Sequence, residues 1–191
     1  MKFSNFLKVE EILSKRILIL GEVGSGKTFL TAKIVEFLCS HGFFKDITII
    51  DMAPERKHGV GGRIRDFLSQ RLAVRYLAPS RIYPPRTLGR NKREVLEYAY
   101  MNYMALKSLI DRFIKEPTRI LVINDLTIYL HAGPLEDIVE CFEKSETLIA
   151  NAYYGFKLIQ DYGSGVTERE KKLLESLFPY MDKVVLLFKK I

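Results

Sequence analysis

The sequence predicts an α/β protein with three layers, in which helices cover both faces of a parallel sheet. Short apolar runs alternate along the chain with segments of helical periodicity. The runs are continuously apolar rather than alternating, which is typical of parallel strands buried on both faces. The chain has 191 residues, of which 48% are hydrophobic. This length and composition predict one domain, residues 1–191, with a sizeable core.

Each element has a local justification. The predicted strands are the apolar runs 16–20, 47–50, 72–78, 120–123, 147–150 and 183–188. Helical spacing of apolar residues predicts helices over 29–40 and 93–116. Pro134 suits the first position of a helix that ends before Thr147. Thr167 and Glu170 predict a capping box that opens a further helix, which stops at Pro179.

A glycine-rich segment between the first strand and the first helix predicts a phosphate-binding loop. Residues 21–28 read GEVGSGKT and match G-x-x-x-x-G-K-[ST] at every fixed position. Glycines let successive backbone N–H groups face phosphate oxygens, and the helix N-terminus favours anions. Lys27 supplies a positive charge, and the Thr28 hydroxyl suits Mg²⁺. The predicted nucleotide-binding residues are Gly21, Glu22, Val23, Gly24, Ser25, Gly26, Lys27, Thr28 and Phe29.

Polar residues follow three of the predicted strands. Asn124 and Asp125 come directly after run 120–123, where a carboxylate is needed to organise Mg²⁺ and water. Asn124 could act as a neutral ligand to the metal's water shell, Asp125 could do the acidic work alone, or the pair could simply turn the chain. Asp51 ends the second strand and is either a second acid at the same sheet edge or the start of a loop.

Taken with the phosphate loop, the strand order resembles the additional-strand class of the P-loop NTPase superfamily, including the HerA–FtsK and RecA-like ATPases. The resemblance covers most of the chain, and the phosphate loop is its one specific motif. That class usually has Asp followed by Glu where this sequence has Asn124 and Asp125. A polar residue at the place of Asn151 senses the γ-phosphate in the class, although Asn at a strand end is also a common turn residue.

The resemblance implies ATP and Mg²⁺ as ligands, with slow hydrolysis that a partner completes. The residues expected to carry this chemistry are Lys27, Asn124, Asp125 and Asn151, with Thr28 and Asp125 at the metal. It also implies a homo-oligomer and a DNA partner. The guanine-reading Asn-Lys-x-Asp element is absent, since residues 91–94 only echo it, so adenine is preferred.

A strongly basic segment lies within a loop-rich insertion at about residues 52–93. Between residues 56 and 93, eleven lysines and arginines face one acidic residue, so the segment carries +10 while the whole chain carries +7. It could bind nucleic acid, donate an arginine to a neighbouring subunit's γ-phosphate, or form a solvated surface. The nucleic-acid candidates are Arg63, Arg65, Arg71 and Arg75. Gly59, Gly61 and Gly62 predict a mobile loop.

Two other functional classes fit the phosphate loop. A small-molecule or nucleoside kinase would use Asp51 as its base and the arginines as a phosphate clamp. A nucleotide switch resembling the metallochaperone GTPases is disfavoured because the sequence shows no Cys/His cluster. Tyr153 and Tyr154 either stack a base or pack on the sheet, and residues 163–165 (GSG) are a weak second candidate for a phosphate loop.

The sequence also predicts a cytoplasmic protein. It has no apolar stretch near the roughly 20 residues that span a bilayer, and its start does not resemble a signal peptide. Cys39 and Cys141 fit reduced core thiols better than a disulfide or a metal site.

Overall fold

The computed structural model describes residues 8–55 and 62–188, which form one six-stranded sheet with helices on both faces. The strands are β1 (Arg16–Gly21), β2 (Ile47–Asp51), β3 (Arg75–Leu77), β4 (Ile120–Asn124), β5 (Thr147–Tyr153) and β6 (Lys183–Leu187). The helices are α1 (Lys27–Ser40), α2 (Pro85–Leu88), α3 (Lys92–Lys115), α4 (Thr127–Leu130), α5 (Leu135–Glu143) and α6 (Val166–Ser176).

All strand pairs are parallel, and their order across the sheet is β3-β2-β4-β5-β1-β6. Because side chains alternate along a strand, Ile17 and Ile19 of β1 pack towards α1, whereas Leu18 and Leu20 pack into the core formed with α3, α5 and α6. The three-layer parallel α/β fold predicted from the sequence is therefore confirmed.

The sheet order brings the carboxyl ends of β1, β4 and β5 together. β5 lies between β4 and β1, and β6 flanks β1 on the other side. The register pairs Asp51 with Asn124 and Ile19 with Asn151. Polar residues that are far apart in sequence thus meet at the carboxyl ends of the strands, where the chain leaves β1 for α1.

Two predictions made from local sequence patterns, the third strand and the capping box, differ from the structure. The third strand is only three residues long, shorter than the predicted run 72–78, and it pairs with β2 at the sheet edge. The predicted capping box is wrong: α6 starts after Gly165, which adopts a left-handed conformation (φ 81°). The Glu170 side chain pairs with Arg86 instead of the helix cap, and the Thr167 amide donates to Asp161.

Pro134 is the N-cap residue that precedes α5 and not, as predicted, the first residue of the helix. Within residues 8–55 and 62–188, no helix combines the length and the apolar character needed to cross a membrane.

Candidate functional site

The phosphate loop runs from the end of β1 to the first turn of α1. Gly24 and Gly26 have φ angles of 73° and 93°, a region that favours glycine. No atom lies within 4 Å of the positions that a Cβ would take at these two residues. Glycine is therefore favoured at positions 24 and 26 by the backbone conformation and not by crowding. The space outside the loop backbone is open at these two residues.

Lys27 begins α1 and lies over the start of the loop. Its ammonium donates to the carbonyl oxygens of Gly21 and Glu22, both at 2.9 Å. Burial lowers the pKa of Lys27, while the charges of Asp125 and Glu22 act to raise it. The lysine is thus held in a partly dehydrated position on two backbone carbonyl oxygens, where an added phosphate would gain a strong electrostatic interaction.

Glu22 ties the phosphate loop to the segment after β5. Its carboxylate accepts hydrogen bonds from the Val23 and Phe156 amides, each at 2.9 Å. Burial acts to raise the pKa of Glu22, but these amide donors outweigh it and hold the pKa below its ordinary value. A Cβ at Gly155 would lie 2.5 Å from the Glu22 carboxylate, so a larger residue there would displace that carboxylate. This contact between Glu22 and the segment after β5 is not predicted from the sequence.

Asp125 lies immediately after β4 in a left-handed conformation, with φ of 58°. Its carboxylate accepts a hydrogen bond from the Thr127 hydroxyl, and its amide donates to Asn151 Oδ1 at 3.1 Å. The Leu126 amide donates to the Asn151 carbonyl oxygen at 2.9 Å. Asn151 therefore fixes the turn that carries Asp125, the acid whose charge acts on Lys27.

Asn124 is fully buried and bridges two neighbouring strands. Its amide nitrogen donates to Asp51 Oδ1 at 2.8 Å and to the Gly62 carbonyl oxygen at 3.3 Å. Its own Oδ1 accepts from the Asn151 amide at 2.8 Å. This placement favours the alternative in which Asp125 does the acidic work alone, because both polar atoms of Asn124 are engaged inside the protein.

Asp51 is also fully buried, at the end of β2. Its carboxylate accepts hydrogen bonds from the Ala53 amide at 3.3 Å, the Ile64 amide at 2.7 Å and the Tyr76 hydroxyl. Burial raises its pKa, and these donors, together with Asn124, oppose the rise. Asp51 therefore closes the loop that leaves β2 and does not face the phosphate loop as a second surface acid.

Asn151 lies inside β5 rather than at its end, so the alternative of a turn residue is wrong. Its side-chain nitrogen donates to the Thr31 hydroxyl at 3.0 Å, and that hydroxyl donates to the Lys27 carbonyl oxygen at 2.9 Å. A buried polar chain therefore runs from the first turn of α1 through Asn151 and Asn124 to Asp51. We call this set the polar chain; it was not predicted.

The structure gives the four predicted nucleic-acid candidates different environments. Arg63 is 3% exposed and donates to the Pro79 carbonyl oxygen at 2.9 Å. Arg75 donates to two carbonyl oxygens at the C-terminal end of α3. Arg65 and Arg71 are exposed, although Arg65 pairs with Glu55 at 2.8 Å. The geometry thus gives structural roles to two of the candidates and leaves Arg65 and Arg71 on the surface.

Another arginine of the basic segment is buried. Arg86 makes a bidentate contact with Glu170 at 3.1 and 2.8 Å, and Glu170 also contacts His131 Nε2 at 2.5 Å. The Arg86 guanidinium lies 5.3 Å from the ring centroid of Tyr153. Arg56, Lys57, Gly59 and Gly61 lie outside the described residues, so the predicted mobile loop is not described.

The tyrosines after Asn151 are engaged with the protein. The Tyr153 hydroxyl accepts the Leu158 amide at 2.9 Å, and the Tyr154 hydroxyl donates to Glu175 at 2.9 Å. This favours packing over base stacking for both rings. In the GSG segment, the amides of residues 163 and 165 donate to the Asp161 carboxylate at 3.0 and 3.1 Å, so a carboxylate of the chain takes the place that a phosphate would need.

The oxygen atoms near the loop suit Mg²⁺. Thr28 lies in the first turn of α1, and Asp125 offers a carboxylate whose charge acts on Lys27. Mg²⁺ keeps several waters and needs only one or two protein oxygens beside the phosphates, so this donor set fits it. Across the described ranges, no group of three or more His, Cys, Asp or Glu residues forms a metal-binding cluster.

A phosphate loop between β1 and α1, with an acid after β4 and a polar residue within the intervening strand β5, defines an ATPase of the P-loop class. The chain belongs to the family described as "Helicase HerA, central domain", whose model matches residues 3–187. Family membership confirms the P-loop class inferred from the sequence and implies a nucleotide ligand.

Two further comparisons concern curated proteins and solved structures. No curated protein matches the chain. Among solved structures, the flagellar accessory protein FlaH from Methanocaldococcus jannaschii aligns with 85% of this chain and 69% of its own, at 9% sequence identity and a TM-score of 0.42.

Proposed function

We propose that the chain binds ATP with Mg²⁺ and hydrolyses it, and that nucleic acid stimulates the hydrolysis. The observation that carries the proposal is the placement of Lys27 on the phosphate loop within reach of the Asp125 charge, with Asn151 holding the Asp125 amide. These are the positions from which a positive charge can stabilise a transferring phosphoryl group and an acid can organise metal and water.

Each residue has a distinct role in this proposal. The loop amides and Lys27 bind the β- and γ-phosphates, and Thr28 with Asp125 would hold Mg²⁺. The metal, when bound, supplies additional charge neutralisation on the phosphates. Asn151 positions Asp125 through its turn and contacts the first turn of α1 through Thr31, because its side-chain oxygen and nitrogen are both engaged inside the protein.

The nucleic-acid part of the proposal has two supports. The family description names a helicase. Exposed cations also remain on the basic segment: Arg65, Arg71, Arg81, Arg90, Lys92 and Arg93. We propose that these contact a DNA backbone and that the active form is a homo-oligomer. A cytoplasmic location is consistent with Cys39 and Cys141, which are both free.

The test is ATP hydrolysis with and without double-stranded DNA. Asp125→Asn should reduce the rate at least about a hundredfold, the scale of losing one preorganised charged group, while nucleotide affinity changes little. An unchanged rate would refute the role of Asp125.

The nucleic-acid surface has its own pair of variants. Replacing Arg65 and Arg71 with glutamine should abolish most of the stimulation by DNA and reduce the salt dependence of binding by about two phosphate contacts. Arg119→Gln is the matched control, because Arg119 is an exposed arginine outside the basic segment, just before β4. Equal stimulation in the double variant and the control would refute this surface.

The kinase alternative finds little support in the geometry. Its proposed base, Asp51, is fully buried and already accepts four donors, so an acceptor hydroxyl could not reach it without local unfolding. Phosphorylation of an added acceptor, measured in the same assay, would revive that alternative.

A further inference from the structure

Two phenylalanines near the phosphate loop are almost fully exposed. Phe188 follows β6 and is 80% exposed, and Phe156 follows β5 and is 85% exposed. Removing an exposed phenylalanine ring from water is favourable, so each ring is available to stack on or pack against a ligand. The two residues lie on opposite sides of β1, because β5 and β6 are its two neighbours.

The sheet order fixes which side of the loop a nucleoside occupies. Asp125 follows β4, and Asn151 lies in β5, so the γ-phosphate must face the β5 and β4 side of Lys27. The nucleoside at the other end of the triphosphate must then leave towards β6. Three strand spacings separate β4 from β6, which is about 14 Å at the usual spacing. That span is on the order of an extended nucleoside triphosphate.

The end of β6 is in direct contact with the loop. The register pairs Leu187 with Gly21, the first loop residue. A Cβ at Gly21 would lie 2.5 Å from the Leu187 carbonyl oxygen and 2.7 Å from the Ser25 hydroxyl. The residue that follows this carbonyl is Phe188, so its exposed ring belongs to the side of the loop from which the nucleoside must leave.

We propose that Phe188 is the stacking platform for the purine base of the bound nucleotide. This inference rests on the proposed function and deepens it by naming the base subsite. An aromatic ring stacks any base through its π-face, and an exposed ring can do so without displacing a partner in the core. The contact binds the base and leaves the phosphates to the loop.

The experiment compares two ligands and two variants. Binding of Mg²⁺-ATP and of Mg²⁺-tripolyphosphate, which has no base, is measured by calorimetry on wild type, Phe188→Ala and Phe156→Ala. Phe188→Ala should weaken ATP binding about tenfold, as expected for one lost base–aromatic stack, and leave tripolyphosphate binding unchanged. Phe156→Ala is the matched control and should change neither affinity. Since both rings are exposed, neither substitution should unfold the protein.

Every other outcome overturns the proposal in an identifiable way. Equal weakening of both ligands by Phe188→Ala, or no weakening, removes the base subsite. A base-specific loss in Phe156→Ala places the base on the β5 side instead. If wild type binds ATP and tripolyphosphate equally, the subsite fails while the proposed function stands; if it binds neither, both fail.

Discussion

The contact between Asn124 and Asp51 gives a sharp test of the polar chain. The amide nitrogen of Asn124 lies 2.8 Å from Asp51 Oδ1, and both side chains are fully buried. Asn124→Asp restores the acid that is usual for the class at this position and replaces this donor with a second carboxylate. The variant therefore asks whether position 124 is a bridge within the protein or a place for an acid.

The size of the destabilisation depends on which of two responses costs less free energy: ionisation of both carboxylates or uptake of one proton. Two charged carboxylates at that 2.8 Å separation would repel by about 6 kcal/mol at an effective dielectric of 20. Taking up one proton at pH 7 costs about 4 kcal/mol for an ordinary aspartate and about 1.5 kcal/mol at pH 5. Sharing a proton is cheaper, so Asn124→Asp should lower the free energy of unfolding by about 4 kcal/mol at pH 7 and about 1.5 kcal/mol at pH 5.

The pH dependence has a definite sign. The shared proton raises the pKa of the pair in the folded state, so the folded variant binds more protons than the unfolded chain. Its stability is therefore highest at low pH and falls as the pH rises, by about 1.4 kcal/mol per unit above the ordinary aspartate pKa. Urea unfolding followed by circular dichroism at pH 5, 6 and 7 measures this slope.

Exchanging the carboxylate and the amide between positions 51 and 124 provides the control. Asp51→Asn combined with Asn124→Asp again gives one carboxylate and one amide, and it sacrifices two long 3.3 Å contacts, the one from the Ala53 amide and the one to the Gly62 carbonyl oxygen. The double variant should recover more than half of the lost stability and lose the added pH dependence. If Asn124→Asp is as stable as wild type at pH 7, or if the double variant is worse than the single one, the described contact is wrong.

Three further predictions concern other parts of the fold. Arg86→Met should lower the free energy of unfolding by about 3–5 kcal/mol, because it leaves the buried Glu170 carboxylate without its cation; thermal unfolding measures this, and a loss below 1 kcal/mol would contradict the buried pair. Asp161→Ala removes the acceptor of two loop amides and of the Thr167 amide in the first turn of α6, and it should speed hydrogen exchange at the start of α6, whereas unchanged exchange would count against that role. Burial raises the pKa of Cys141 to about 12, so a thiol reagent at pH 8 should modify Cys39 in the native protein and reach Cys141 only after unfolding; early labelling of Cys141 would disprove its burial.

The sequence was sufficient for the features that depend on local pattern. Continuous apolar runs identified the buried strands, and the phosphate loop was recognisable because its glycines and Lys27 are adjacent in sequence. The same reasoning located Asp125 after the most apolar run, β4. These elements need few long-range partners to be identified, so a single sequence predicts them.

The features that the sequence did not reveal depend on partners far apart in the chain. Asn124 and Asp51 are 73 residues apart, and Glu22 and Phe156 are 134 residues apart. The capping box failed for the same reason, since Arg86 lies 84 residues from Glu170 and takes its carboxylate. The sequence alone does not distinguish an exposed arginine from one that forms a buried ion pair. The fold was therefore needed to separate the exposed arginines of the basic segment from those with structural contacts.

The central claim is that the loop around Lys27 binds the phosphates of a nucleotide. Calorimetric titration of Mg²⁺-ATP into wild type and into Lys27→Ala tests it most directly. We expect saturable binding with thermal stabilisation in wild type, and affinity weakened by a hundredfold or more in the variant, roughly the 2–3 kcal/mol of a lost charge-assisted contact. Equal affinity in the two proteins, or no binding by wild type, would contradict it.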